Sequence, residues 1–460
     1  MALALTGEAS RLRAPAVLGY AAGSLGMGVY STVPGILLLY YMTQVLALPV
    51  ALASLAVLLP KLVILVAEPT IGAWSDGLRS RWGRRRPFLL AGAVLSAATF
   101  VLLFNTPRQA DPIATFATVS LAYLAASLAF SLFAVPYVAL PAEMSQDGAE
   151  RARIVGVRMM FVFAGVLVGS AAPPLLVQRL GSGAGGYGRM AAVIAAVSLG
   201  CMLVTVMANP KAGAPVRAPA SALAALSVLR FPPFATALAI YVLVMTGSSA
   251  LTAAAPYFVT YVLDAPSKEL APIFTIKVVA ALASMAIWTW MTPRLGFCRT
   301  WALALVTALA GAATLFSAHA GQRSPDFLAA FAAIGAGAAG VQVAAFALLA
   351  EVTARFRTAA RHQREGLMTG MWTASEKVAL ALGPAVTGGL LAITGFVSAA
   401  PAGAEPASAL EGAKLAISAA PAVIFALSAA ALLLTRPVLD TDRAHRSGVL
   451  LSASREQGLG

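Results

Sequence analysis

The sequence predicts an all-α polytopic membrane protein, with twelve transmembrane helices in two pseudo-symmetric six-helix bundles. Three observations predict it. The 460 residues are 60% hydrophobic and 11% charged, whereas a water-soluble domain carries about a quarter charged residues. Their mean hydropathy is +0.84. Apolar runs long enough to cross a bilayer, which takes about 20 residues per helix, recur along the whole chain with polar, Arg-rich segments between them. These features exclude a soluble enzyme. The net charge of +14 does not point to nucleic acid, because the bases cluster between apolar runs instead of lining one polar face. It fits loops that face an anionic leaflet and a chain whose surroundings are the lipid bilayer.

Taken in order, the runs fall near residues 15–45, 50–75, 87–105, 112–141, 152–178, 188–208, 231–262, 270–292, 299–318, 326–354, 366–398 and 411–435. The first is far longer than a signal-peptide core of about 7 to 15 residues and reads as a retained helix. Several contain interior breaks, at Pro34-Gly35, Pro136, Pro173-Pro174, Pro256 and Pro384, which need rescue from neighbouring helices or a water-filled cavity. Residues 209–230, with Pro210, Pro215 and Pro219, break the pattern midway and read as a cytoplasmic linker. They divide an N-terminal bundle (1–208) from a C-terminal bundle (231–436), with a polar cytoplasmic tail at 437–460. Twelve spans put both termini on one side, and 23 of the 32 Lys and Arg residues lie in the loops of that side. The positive-inside rule makes it cytoplasmic. The Ala and Arg bias suggests a bacterial inner membrane.

The two halves carry a repeat. Ala139-Leu140-Pro141-Ala142-Glu143 at the end of the fourth span recurs as Ala347-Leu348-Leu349-Ala350-Glu351 at the end of the tenth. About the same offset carries the connection between the second and third spans onto that between the eighth and ninth, where Pro293 to Arg299 is a degraded echo of Arg79 to Arg86. Parallel repeats with a path between them are an organisation of secondary transporters. No Gly-x-Ser-x-Gly, His-Glu-x-x-His or phosphate-cradling Gly-rich loop occurs, which argues against a membrane-embedded enzyme and against ATP-driven pumping. Cys201 and Cys298 lie far apart and read as small buried hydrophobes. His319 and His362 have no second ligand at a metal spacing, so neither a metal nor a cofactor is expected.

Ionisable groups inside the spans are costly in lipid and therefore functional by default. They are Lys61, Glu68, Lys277, Glu376 and Lys377. Glu68 reads as a proton carrier or as a structural partner of Arg158 or another base. Lys61 reads as an element of the coupling site or as a charge reaching the interface. Lys377 reads as a sensor of an occupied site or contact for an anionic substrate, or as one half of a permanent pair with Glu376; Lys277 reads as a counter-charge. At the cytoplasmic helix ends Asp76, Arg79, Arg81, Arg84, Glu143, Arg153 and Glu351 form a candidate gate, with Glu143 beside Arg151 and Glu351 beside Arg355. Gly72 would let a second helix approach closely. Tyr30, Tyr41, Tyr137 and Trp372, with Arg158 and Lys377, are candidate substrate-binding residues, the aromatics as stacking surfaces.

The segment Glu68-Pro69-Thr70-Ile71-Gly72-Ala73-Trp74-Ser75-Asp76, followed by Arg79-Ser80-Arg81-Trp82-Gly83-Arg84-Arg85-Arg86-Pro87, resembles the loop between helices two and three of the glycoside-pentoside-hexuronide:cation symporters. This is the melibiose permease group of the major facilitator superfamily. Tyr40-Tyr41-Met42-Thr43, Val135-Pro136-Tyr137, Arg158 and Lys377 with Gly383, Gly389 and Thr394-Gly395-Phe396 extend the resemblance over most of the chain. It implies the twelve-helix major facilitator fold, alternating access, and a sugar-like solute moved with Na⁺, Li⁺ or H⁺. The chain departs from that family where its symporters place a second cation-site acid one turn before Glu68, since Ile64 stands there. It departs again at Gly28 and Ala134, where the family has sugar-binding acids. A hard cation wants several oxygen ligands, so the expected coupling ion is H⁺ in preference to Na⁺. The expected protein is a monomeric secondary transporter of a sugar, glycoside or small polar solute. The alternative is a carrier of an anionic amphiphile with the same fold, and the least favoured is a non-transporting assembly factor.

Overall fold

The computed structural model describes residues 14–78, 80–145, 147–208, 227–317, 325–360, 365–399 and 406–435. Twelve long apolar helices account for nearly all of them: α1 Ala14–Gln44, α2 Val50–Gly77, α3 Arg86–Leu103, α4 Pro112–Pro141, α5 Arg153–Arg179, α6 Gly183–Ala208, α7 Pro232–Val262, α8 Ser267–Leu295, α9 Phe297–Ser317, α10 Asp326–Thr353, α11 Met368–Ile393 and α12 Ala407–Leu434. The chain is therefore an integral membrane protein, with the number of spans expected. Arg79, the linker from 209 to 226 and the tail beyond 435 lie outside the described residues, as do His319 and His362.

Local chemistry explains several helix boundaries. Asp111 caps α4 by accepting from the Ile113 and Ala114 backbone amides, donors that a helix start leaves without partners. Gly296, at φ 82°, turns the chain from α8 into α9, and Gly395, at φ 80°, follows the end of α11. Positive φ suits Gly because no Cβ opposes it. That turn is why α11 stops at Ile393 instead of running to residue 398. The interior prolines do not interrupt the spans. Within α1, Pro34–Leu38 widens into a π-turn, which makes room for a ring that cannot donate to the preceding turn. A matching π-turn, Phe258–Val262, follows Pro256 in α7. The last span is interrupted at Ser418, between Ala407–Ile417 and Ala419–Leu434.

The helices pack as two six-helix bundles related by approximate two-fold symmetry. In the first bundle α1 packs on α5 and α6, α3 on α4 and α6, and α2 on α4; the second repeats this with α7 on α11 and α12, α9 on α10 and α12, and α8 on α10. Between the bundles, α2 meets α11 while α5 meets α8. These two contacts exchange under the same operation. At the end remote from the termini the bundles are sealed by side chains from the two π-turn regions. Tyr40 Oη and Thr260 Oγ1 are 3.0 Å apart, and Thr43 Oγ1 and Tyr257 Oη 2.7 Å apart. Tyr261 donates to Gln44 Oε1 at 2.5 Å and Ser398 to the Leu48 carbonyl at 2.7 Å.

Glycines set the closest crossings inside the first bundle. A Cβ on Gly28 would stand 2.8 Å from the Val162 carbonyl oxygen and 3.0 Å from the Gly165 Cα. This backbone approach of α1 to α5 explains why no acid occupies position 28. The structure corrects the expectation for Gly72, whose Cβ would make an ordinary 3.5 Å contact with Val135 Cγ1; the tight crossing lies at Gly92, against Leu132 and Phe133. Substituting Gly28→Asp, which would supply the family's acid, should destabilise the fold by about 1–3 kcal/mol through overpacking, whereas Gly72→Ala should leave it unchanged. Thermal unfolding in detergent checks this, and a Gly28→Asp protein as stable as the parent would contradict the crossing.

Candidate functional site

Glu68 and Lys377 meet across the bundle interface. Glu68 lies 18 residues from the end of α2 remote from the termini and Lys377 16 residues from the corresponding end of α11. At 1.5 Å per residue that is roughly 27 and 24 Å, so the two side chains arrive at one depth. Lys377 Nζ donates to Glu68 Oε2 in a close ion pair, and Ser131 of α4 donates to Glu68 Oε1 at 3.0 Å. The Glu68 side chain is 18% exposed and that of Lys377 42%, so the pair borders open space instead of lying in a sealed core. The base that pairs with Glu68 is Lys377 and not Arg158, and the expected pair of Lys377 with Glu376 is corrected: both side chains reach across the interface.

Three further polar groups surround the pair without joining it. Lys61, on the side of Glu68 remote from the termini in α2, donates to Ser127 Oγ at 3.4 Å and sits 4.9 Å above the Tyr123 ring. With Tyr30, Ser31 and Phe130 it lines a cavity of about 60 Å³ inside the first bundle. Lys277 of α8 donates to Thr252 Oγ1 at 3.0 Å and pairs with no acid among the described residues. Glu376 of α11 faces the Tyr241 hydroxyl and the Gln342 amide in the second bundle. From Leu62 toward the terminal side, α2 presents an open apolar face made by Leu62, Val63, Val66, Ala67, Thr70, Ile71 and Trp74.

The structure separates the aromatic candidates from open space. Tyr41 is 1% exposed; its hydroxyl donates to the Thr106 carbonyl and its ring packs on Phe104 and Tyr187. Tyr137 stacks on Tyr20, its hydroxyl donating to the Tyr20 carbonyl and lying 2.7 Å from Ser24 Oγ. Trp372 stacks on Tyr241 and is fully buried. These three rings build walls and are corrected from stacking surfaces to packing residues. Tyr30, stacked on Phe130 and donating to the Ala126 carbonyl, lines the small cavity. Arg158 lies 5.9 Å from the Tyr137 ring and is half-buried in α5.

Of the gate candidates, Asp76, Arg84 and Glu143 assemble at the terminal end of the first bundle, around Arg85. Glu143 lies in the continuation of α4 to Met144, where its Oε1 accepts from Arg84 and Arg85, each at 2.5 Å. Arg85 also reaches Asp76 at 2.8 Å and Ser75 Oγ at 3.3 Å. Sequence reasoning assigned Glu143 to Arg151 and missed Arg85. The Arg84-Arg85-Arg86 run holds no signal for which guanidinium turns inward. Arg153 pairs locally with Glu150 one turn away, and Arg81 lies 5.6 Å from the Trp82 ring. Glu351 is half-buried at the end of α10, and the side chain of Arg355 lies outside the described residues.

Glu143 is 2% exposed and Arg85 5%. Glu143→Gln would strand buried guanidinium charge and should cost about 3–5 kcal/mol. Arg153→Gln removes a half-exposed local pair worth about 0–1 kcal/mol. Thermal unfolding of the two variants in detergent should rank them in that order, and equal stability would remove Glu143 from the centre of the cluster.

With this geometry in place, known proteins can be set beside the chain. The family described as MFS/sugar transport protein matches residues 19–437. The "Isoprimeverose transporter" of Lactiplantibacillus pentosus is 23% identical over 410 residues, covering 86% of this chain and 83% of its own. The "Uncharacterized symporter YnaJ" of Bacillus subtilis (strain 168) is 35% identical over 169 residues, 36% of each chain. That alignment spans about a third of the relative's length. Among solved structures, a bacterial homolog to the human lysosomal transporter Spinster, in its inward-facing and unoccupied conformation, superposes with a TM-score of 0.73 at 14% identity, covering 92% of this chain and 97% of that one.

Proposed function

Because the chain belongs to the MFS/sugar transport protein family, we propose that it is a secondary active transporter that moves a sugar, glycoside or related small polar solute with a proton by alternating access. The observation that carries this reading is the pair of Glu68 and Lys377, a carboxylate and an ammonium contributed by opposite bundles at one depth and bordering open space. Making and breaking that pair links the charge on Glu68 to the relative position of the bundles. A proton on Glu68 removes the attraction to Lys377, and an ionised Glu68 restores it. H⁺ is favoured over Na⁺ because Ile64, one turn away and 4% exposed, offers no oxygen, while a hard cation needs several.

In this reading residues 1–208 rock against 231–436 about the linker 209–230, with the hydroxyl seal at the outer end closed and the cytoplasmic side available to solute. The termini are cytoplasmic, as the loop charges require, the membrane is a bacterial inner membrane, and the working unit is a monomer. Arg158, Lys61 and Tyr30 flank the solute path; Asp76, Arg81, Arg84, Glu143, Arg153 and Glu351 stiffen the cytoplasmic helix ends. A second reading, carriage of an anionic amphiphile, is favoured by the open apolar face of α2 next to the pair.

A pH difference of one unit supplies about 1.4 kcal/mol per proton, enough for about tenfold accumulation at one proton per solute. Proteoliposomes offered a panel of labelled glycosides, sugar acids and lysophospholipids under an imposed pH gradient should therefore concentrate at least one glycoside or sugar acid, and Glu68→Gln should abolish accumulation while leaving exchange at equal concentrations. Uptake indifferent to both the gradient and Glu68→Gln would remove the coupling claim, and uptake confined to lysophospholipids would select the second reading.

A further inference from the structure

Lys377 stands between two carboxylates, and the bundle interface decides which one it serves. Its Nζ is engaged by Glu68 of α2, while the next residue back along α11, Glu376, belongs to a separate cluster inside the second bundle. There Glu376 faces Tyr241 of α7 and Gln342 of α10, and the Tyr241 hydroxyl itself donates to Gln342 Oε1 at 3.1 Å. Trp372, one turn earlier on the same face of α11, stacks on Tyr241 with ring centroids 4.4 Å apart. Its indole N–H is buried and finds no hydrogen-bond acceptor among the described residues. The titratable and charged groups that face Glu376 are thus the neutral Tyr241 and the ammonium of Lys377.

We propose that Glu376 is a proton-binding site of the second bundle whose occupancy is set by whether Glu68 holds Lys377. While the pair across the interface is intact, the hydrogen-bonding partners of Glu376 are neutral and Lys377, engaged by Glu68, acts on it only through space; a carboxyl group so placed inside a membrane protein takes up a proton to avoid a poorly compensated charge. When the bundles part at the pair, Lys377 swings to its own neighbour. The O–H bond of Glu376 then breaks, the proton leaves to water in the opened vestibule, and Lys377 remains an ammonium beside the new carboxylate. Bundle position and proton occupancy are coupled in both directions by this exchange of partners.

A metal cation fits the cluster poorly. Gln342 Oε1 already accepts from Tyr241, and one carboxylate with two neutral oxygens falls short of the oxygen set a hard cation requires. The inference rests on the alternating-access reading, but not on Glu68 carrying the transported proton.

Infrared spectroscopy of the full-length protein in lipid vesicles tests it through the C=O stretch of a protonated carboxyl group. At neutral pH the parent should show this band, Glu376→Gln should lose it, and Glu376→Asp should keep it at a shifted frequency, which guards against a folding defect in the amide variant. Glu68→Gln, which frees Lys377 for Glu376, should lose most of the band as well. A parent without the band, or a band that survives Glu376→Gln, overturns the proposal; in the second case its loss in Glu68→Gln alone assigns the proton to Glu68 and leaves the transport reading standing. A band unchanged in Glu68→Gln overturns the linkage through Lys377. Loss of the band on adding NaCl at fixed pH overturns the proton in favour of a metal cation.

Discussion

A lysine and a glutamate held against each other two-thirds of the way across a membrane protein, one from each bundle, constrain almost everything else about this molecule. Each charge alone would be costly among apolar helices, so neither bundle is electrostatically complete without the other at this level. The attraction is also soft. Both side chains border open space, which lets water compete for them and keeps the interface from being locked by a fully desolvated pair. An interface that must repeatedly form and part suits such a contact better than an apolar seam does.

The rest of the architecture surrounds that contact with elements that do not yield. Within each bundle, glycine-mediated crossings such as Gly28 on Gly165, and tight ones at Gly92, hold helices at backbone distance. The Glu143 cluster ties the terminal ends of α2, α3 and α4 into one block. At the end remote from the termini the bundles meet through hydroxyl groups at the π-turns of α1 and α7. Hydrogen bonds between neutral groups contribute about 0.5–1.5 kcal/mol each, so a handful closes one side without making closure permanent. Rigid bundles with one exchangeable ion pair and one set of modest seals are the parts that alternation between two openings requires.

The fold was legible in the sequence because bilayer thickness imposes a length on apolar runs, and each of the twelve runs became a helix within a few residues of its expected limits. Where limits moved, a single residue explains it, as with Gly395 behind α11. The site was half legible. Glu68 and Lys377 stand out because ionisable residues are rare within spans, yet 309 positions separate them and no periodicity links residues of different bundles. Arg158 and Glu376 looked equally eligible as partners. The aromatic candidates failed for a related reason: a tyrosine or tryptophan in an apolar run carries no mark of whether its ring faces a cavity or a neighbouring helix, and Tyr41, Tyr137 and Trp372 face helices. Gly28 looked like a missing ligand and is a helix crossing.

The central claim is that protonation at the pair moves one bundle against the other, and pulsed electron–electron resonance measures that motion directly. Spin labels at the exposed positions Ala73 of α2 and Gly370 of α11, in a background lacking Cys201 and Cys298, report the gap on the terminal side of the pair. The account predicts two distance populations whose ratio changes between neutral and acidic pH in the parent and is fixed by Glu68→Gln. A single distance distribution, the same at both pH values and in the variant, would contradict it.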